Sequence, residues 1–238
     1  QHGLGAQGQQ RRHRLAGQFD DFQRAVDLSG QPLLFGREVC AMIQLLKLHD
    51  FQKMPWKNGL GFTLEIARKP SAETGDFDWR VSMADVENDG EFSFFSGKKR
   101  IISTLSGMGM QLSIADQPHV DICSRNLCAF DGEQPVYCRL LNGPIRDLNL
   151  IYRADKVFPR MQWLTGSHSQ TILSAAQDML IFNMADMMQV SVAAQSYTLN
   201  AFDCLKISNQ DEALTLQLPQ NSAKDCCLIE LFARSSSR

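Results

Sequence analysis

The chain reads as a mostly-β protein, a sandwich or barrel of many short strands. Three observations predict this class. Short runs that alternate between faces, or are rich in β-branched and aromatic residues, recur along most of the chain. Turn-forming clusters separate them at Asn58-Gly59, Asn88-Asp89-Gly90, Asp131-Gly132 and Asn142-Gly143-Pro144. Helical stretches are few, and Ser169–Gln177 is the best short candidate.

Residues Gln1–Ala41 differ in character from the rest of the chain. They are Gln/Gly/Arg-rich with little apolar periodicity, and read as a disordered or non-native extension with at most a weak helix around Asp20–Leu28. The first methionine is Met42, and ordinary alternation begins just after it. A first strand series is expected at Ile43–Leu48, Phe62–Arg68, Trp79–Ala84, Arg100–Ser106, Met110–Ile114, Val136–Leu141 and Leu148–Arg153. A second is expected at Met179–Asn183, Met187–Ala193, Ser196–Leu199, Cys204–Ser208, Leu214–Leu218 and Cys226–Phe232. The two series predict two stacked β modules, residues 42–155 and a smaller 156–238, joined near Asp155–Ser174.

Composition excludes several function classes. Among 238 residues, 44% are hydrophobic and 21% charged, as in a packed globular protein. The formal net charge of −2 supplies no field for nucleic acid or an anionic membrane. The longest apolar runs fall far short of a membrane span. Seven cysteines, without any Cys-x-x-Cys pair, fit reduced thiols in a cytoplasmic protein.

The residues with chemical potential sit between Met54 and Asn149. In a strand, residues i and i+2 share a face. That pairs Thr63 with Glu65, Arg80 with Ser82, and Asp147 with Asn149, each opposite an apolar set. Ordinary solvent-facing surface is the plain alternative for any one strand. Surfaces are usually Lys/Glu-rich, however, whereas these pairs favour hydrogen bonding. If the faces converge in an interior, Arg80 must pair with Glu65 or Asp147. Such a pocket suits a small carboxylate, because Arg offers a bidentate fork and Lys57 a point charge. Pro55, the Asn58-Gly59 turn and Gly61 would hold Trp56 and Lys57 at its rim.

Other chemistries find little support. No two of the five histidines form His-x-His, and none pairs with a carboxylate at ligand spacing, so no metal or other cofactor is expected. There is no G-x-S-x-G, and no cysteine has an obvious partner base. The run "SGMGMQ" (Ser106–Gln111) lacks the lysine and helix of a phosphate loop. Met179, Met184, Met187 and Met188 read as core filling.

Four segments, in order, resemble the HutD/Ves family of bacterial cupin-like proteins. They are "MPWKNGLGFTLEIA" (Met54–Ala67), "DFDWRVSMA" (Asp76–Ala84), "GEFSFFSGKKR" (Gly90–Arg100) and "FDGEQPVYCRLLNGPIRDLNLIYR" (Phe130–Arg153). They span about half the chain, and the likeness weakens beyond Asp155. Leu60 breaks the family's glycine run, and Leu150-Ile151-Tyr152 replaces a Met-containing end. Lys57, Asn58, Arg80, Arg100 and Asn149 are in place.

The resemblance implies a double cupin (bicupin), two RmlC-like jelly-roll barrels in one chain. It also implies a role beside histidine utilisation, binding N-formylglutamate or a related intermediate and restraining flux. The leading expectation is thus a metal-free, non-catalytic regulatory protein, with a homodimer as a compatible assembly. Arg80 and Arg100 would pair with carboxylates, Trp56, Lys57 and Asn58 would close the rim, and Thr63, Glu65, Ser82 and Asn149 would orient the ligand. The rivals are a metal-independent isomerase or hydrolase using Glu65 as base, and a stress-related protein-interaction module whose pocket is structural.

Overall fold

The computed structural model describes residues 41–56, 61–166, 168–192, 195–209, 213–219 and 224–234. The extension expected at Gln1–Ala41 lies outside the described residues but for Ala41, as do the Asn58-Gly59 turn and Leu60. The described residues form one short 3-10 turn (Leu48–Asp50) and nineteen strands. The first eleven are β1 (Met42–Leu46), β2 (Gln52–Pro55), β3 (Phe62–Pro70), β4 (Phe77–Val86), β5 (Gly90–Glu91), β6 (Lys99–Ser106), β7 (Met110–Ile114), β8 (Val120–Ile122), β9 (Leu127–Asp131), β10 (Val136–Leu140) and β11 (Ile145–Tyr152). The remainder are β12 (Val157–Gly166), β13 (Gln170–Ser174), β14 (Asp178–Asn183), β15 (Met187–Val192), β16 (Gln195–Asn200), β17 (Cys204–Ser208), β18 (Leu214–Leu218) and β19 (Lys224–Ala233).

These strands make four sheets whose strands pair antiparallel. A four-stranded sheet, β5-β10-β7-β8, covers a six-stranded one, β2-β3-β4-β11-β6-β9. A five-stranded sheet, β1-β17-β14-β19-β12, is covered in turn by β13-β18-β15-β16. The two larger sheets pack on each other through Trp79, Val81, Met83, Leu148 and Leu150 on one side and Leu180, Phe182, Cys227 and Ile229 on the other. The larger sheets are therefore inner layers, covered on both faces. This explains why β14 is buried at every position and reads as a continuous apolar run: Leu180 and Phe182 face one core, Met179 and Ile181 the other. The neighbours Cys226 and Cys227 likewise point into different cores, which rules out a bridge between them. The strand β1, first in the described order, pairs along its whole length with β17 and so sits at the edge of the five-stranded sheet.

The strand pairing corrects two expectations. Ser169–Gln177 is not helical: β13 occupies Gln170–Ser174 and pairs in full with β18. The β-branched Thr171 and Ile172 and a cross-strand partner outweigh the helix-forming Ala175-Ala176. Nor is Asp155–Ser174 a connecting segment, because β12 fills Val157–Gly166 with ten residues paired to β19. Pro159 hides it from a strand reading, yet β12 is an edge strand, where a missing N–H costs little. Of the methionines read as core, Met187 faces solvent while Met179 and Met188 are fully buried.

The run Ser106–Gln111 has a structural role. Gly107 and Gly109 turn the chain from β6 to β7 at φ of +89° and +116°. A Cβ on Gly109 would lie 2.6 Å from the Ile122 carbonyl oxygen. Gly109→Ala is therefore expected to destabilise the fold by about 2–3 kcal/mol, read as a lowered urea midpoint with unchanged slope.

Candidate functional site

The site lies between the six-stranded sheet and its four-stranded cover. Register places the polar pairs on one face: Thr63 opposite Ala84, Glu65 opposite Ser82, and Ser82 opposite Asn149. Across β6, Asp147 meets Thr104, Asn149 meets Ile102, and Ile151 meets Arg100. A bulge between Glu65 and Ala67 then brings Arg68 opposite Arg80, on the same face. The pairs Thr63/Glu65, Arg80/Ser82 and Asp147/Asn149 thus line a common interior.

That interior is buried and charged. Glu65, Ser82, Arg100, Asp147 and Asn149 are all buried, while Arg80, Thr63 and Trp56 are half-buried. The corresponding interior of the other sheet pair is mostly aliphatic, with Met179, Ile181, Leu205, Ile207, Leu216 and Leu228, and the buried Glu230 carboxylate opposite Met179 accepts from Arg160 and from the Ser174 hydroxyl. The same layered arrangement is therefore mostly apolar on one side of the molecule and more polar on the other.

Aromatic rings supply part of what the guanidiniums lose on leaving water. Arg100 lies over Phe92, Phe130 and Phe95 at 4.7, 5.1 and 5.5 Å from the ring centroids. Arg80 lies over Phe77 at 4.9 Å and over the same Phe95 at 5.3 Å. Desolvated contacts of this kind contribute about 2 kcal/mol each. The loop that carries Phe92 and Phe95 is tied down by their N–H groups, which donate to Val136 and Gly132 carbonyls at 2.9 and 2.8 Å. Burial nonetheless lowers both arginines, Arg100 to about 10, against the opposing pull of Asp147; Glu65 and Asp76 pull Arg80 the other way. Neighbouring guanidiniums add to this: Arg80 lowers Arg100, and Arg68 lowers Arg80. Burial drives Asp147 up to about 7, although Arg100 and the Ala84 backbone resist.

Several polar atoms here lack a hydrogen-bond partner among the described residues: Glu65 Oε2, Arg80 Nε, Arg100 Nε, Asp147 Oδ1 and Asn149 Oδ1. Leaving such an atom unpaired costs about 1–3 kcal/mol, so five of them rival the entire stability of a domain. These atoms leave hydrogen-bonding capacity on the interior face that water or another small polar molecule could take up.

The remaining expected site residues are more scattered. Trp56 packs at the edge of this core against Gly61, and its indole N–H donates to Thr63 Oγ1 at 2.9 Å. Thr63 thereby holds Trp56 in place. Lys57 and Asn58 lie outside the described residues. Glu65 has an ion-pair partner that alternation did not find, Arg68 at 3.3 Å, because the bulge breaks the two-residue period. The four phenylalanines were also missed as site residues, although the runs "DFDWR", "FSFF" and "FDG" carry them. No group of three or more His, Cys, Asp or Glu among the described residues is placed to hold a metal ion.

A model of the HutD family matches residues 48–227. The chain belongs to the HutD family. A HutD-family relative in Pseudomonas putida, described as an uncharacterized 21.2 kDa protein in the hutC 3' region, is 40% identical over 195 residues, 82% of this chain and all of that protein. The solved structure of HutD from Pseudomonas fluorescens SBW25, in a formate condition, superposes with a TM-score of 0.72 at 37% identity, covering 81% of this chain and 100% of that one. Protein Ves from Escherichia fergusonii is 36% identical over 114 residues, 46% of this chain and 59% of that protein. The HutD family is thereby linked to histidine utilisation. At the level of fold alone, a cupin 2 conserved barrel domain protein from Leptotrichia buccalis aligns at a TM-score of 0.50 and 9% identity, covering 75% of this chain and 92% of that one. The fold is mostly β and cupin-like.

Proposed function

We propose that the chain is a small-carboxylate-binding regulatory protein of histidine utilisation, with N-formylglutamate or a related intermediate as its ligand. The observation that carries the reading is a pair of guanidiniums on one face, buried Arg100 and half-buried Arg80, each with an unpartnered Nε. Two planar forks on one interior face suit a carboxylate, and a dicarboxylate could engage both. Glu65 and Asn149 offer acceptors for a formamide N–H, and Asn149 offers a donor to its oxygen. Trp56 stands at the edge of this core, Lys57 and Asn58, next to it in sequence, are proposed as ligand-binding residues, and Thr63 and Ser82 complete the orientation. The fold reading that accompanies this is a double cupin with its ligand site in the first unit, since the second sheet pair is mostly aliphatic and its buried Glu230 is already paired with Arg160. The protein acts without metal or turnover, in the cytoplasm, as a monomer or homodimer.

The test is calorimetry and thermal shift of the full chain with N-formylglutamate, formate, glutamate and urocanate. Heat and a raised melting temperature are expected with N-formylglutamate. No response to any of the four at millimolar concentration overturns this ligand class.

One observation favours a second reading, an isomerase or hydrolase acting on a small acid. Glu65 is buried with Oε2 unpartnered, the position of a general base facing a bound substrate. Turnover that disappears in Glu65→Gln while binding persists would establish it.

A further inference from the structure

We propose that Asp147 is a further ligand-contacting residue of this pocket and that it bears a proton in the complex, so that the anion enters together with one proton from solvent. This rests on the carboxylate-binding reading and adds the regulation of that site by pH.

Geometry carries the proposal. Asp147 is 5% exposed, on the common interior face, one register step along from Ser82 and Asn149. Its Oδ1 has no partner among the described residues, so one oxygen remains for the ligand. An ionised Asp147 could only repel a carboxylate there, whereas a protonated one donates a hydrogen bond to it.

Charge balance points the same way. On this interior face three guanidiniums, Arg68, Arg80 and Arg100, stand against two carboxyls, Glu65 and Asp147, and it is Arg68 that is ion-paired to Glu65. A ligand carboxylate held by Arg100 competes with Asp147 for the same guanidinium, and the carboxyl that yields is the one with the weaker hold on its charge. Glu65 is paired directly to Arg68. Asp147 has no ion pair of its own: Arg100 pulls on it from β6, and burial outweighs that pull. Of the other groups around it, Asp85 on β4 is already held by a bidentate bond from Arg146. The Cys138 thiol on β10 is pushed up to about 12, chiefly by burial and then by Asp147, and stays neutral. The β7 neighbours Met110 and Leu112 are apolar.

An incoming anion raises Asp147 further, so the complex holds a proton that the free protein has half released near pH 7. Affinity is then highest below about pH 7 and falls by up to about tenfold per pH unit above it. Calorimetry of the full chain with N-formylglutamate, at pH 6, 7 and 8 in phosphate and in Tris, reads the proton directly. The expected uptake is about half a proton at pH 7, rising toward one at pH 8. Asp147→Asn, whose amide donates but does not titrate, should show neither the proton uptake nor the parent's fall in affinity between pH 6 and pH 8. Binding without uptake in the parent chain, or uptake that persists in Asp147→Asn, overturns this inference and leaves the carboxylate reading standing. No heat at any pH, with formate and glutamate also silent, overturns both. The parent measurement stands alone if the variant fails to fold.

Discussion

Arg100→Met should remove carboxylate binding while leaving the protein folded. Arg100 is the most enclosed cation of the interior, with three phenylalanine rings around it and an unpartnered Nε. Taking away a buried, charge-assisted partner of a ligand carboxylate costs about 3 kcal/mol or more, on the order of a 100-fold loss of affinity. The fold should be spared for two reasons. Methionine fills the space between Phe92, Phe95 and Phe130 with a flexible apolar chain. Asp147, deprived of its opposing charge, can remain protonated in the interior. Calorimetry and a melting curve on the same sample check both halves. Unchanged affinity would remove Arg100 from the site, and a collapsed melting transition would make its role structural.

The second large effect belongs to the interface between the inner sheets. Phe182 on β14 is fully buried there, with its ring edge-on to Phe202 at 6.2 Å. Phe182→Ala opens a cavity where both flanking sheets are held by their outer covers, so collapse around it is limited. The expected loss is about 4 kcal/mol, which lowers the melting temperature by roughly 10 °C in a domain of this size. Ligand affinity should stay within about threefold, because Phe182 faces the core on the far side of β4 and β11 from the pocket. A stability loss under about 1 kcal/mol in urea unfolding would contradict the inner-sheet contact.

Much of this was legible from local pattern. Met110–Ile114, Cys204–Ser208 and Leu214–Leu218 appear at the bounds that alternation predicts, since their buried and exposed positions do alternate or nearly so. The polar pairs on β3, β4 and β11 are also visible in sequence, because a period of two needs no tertiary information. What escaped depended on partners distant in sequence. The pairing of β1 with β17 leaves no local trace. Arg68 reaches the pocket face only through the bulge after Glu65. Pro159 disguises a strand whose edge position is set by the sheet order. Asp147 was visible as a polar partner of Asn149, but its isolation from any ion pair comes from burial and from Asp85 and Glu65 holding Arg146 and Arg68.

The most direct test is a crystal structure of the full chain grown with N-formylglutamate. Density for the ligand is predicted inside the first sheet pair, with a carboxylate within hydrogen-bond distance of Arg80 or Arg100 and a second polar group reaching Asn149 or Asp147. A surface cleft of about 510 Å³, where Arg125, Asn126 and Leu127 face Met161, Gln162 and Trp163, offers the alternative location. Ligand bound in that cleft, with the Arg80–Arg100 interior unoccupied by it, would contradict the account.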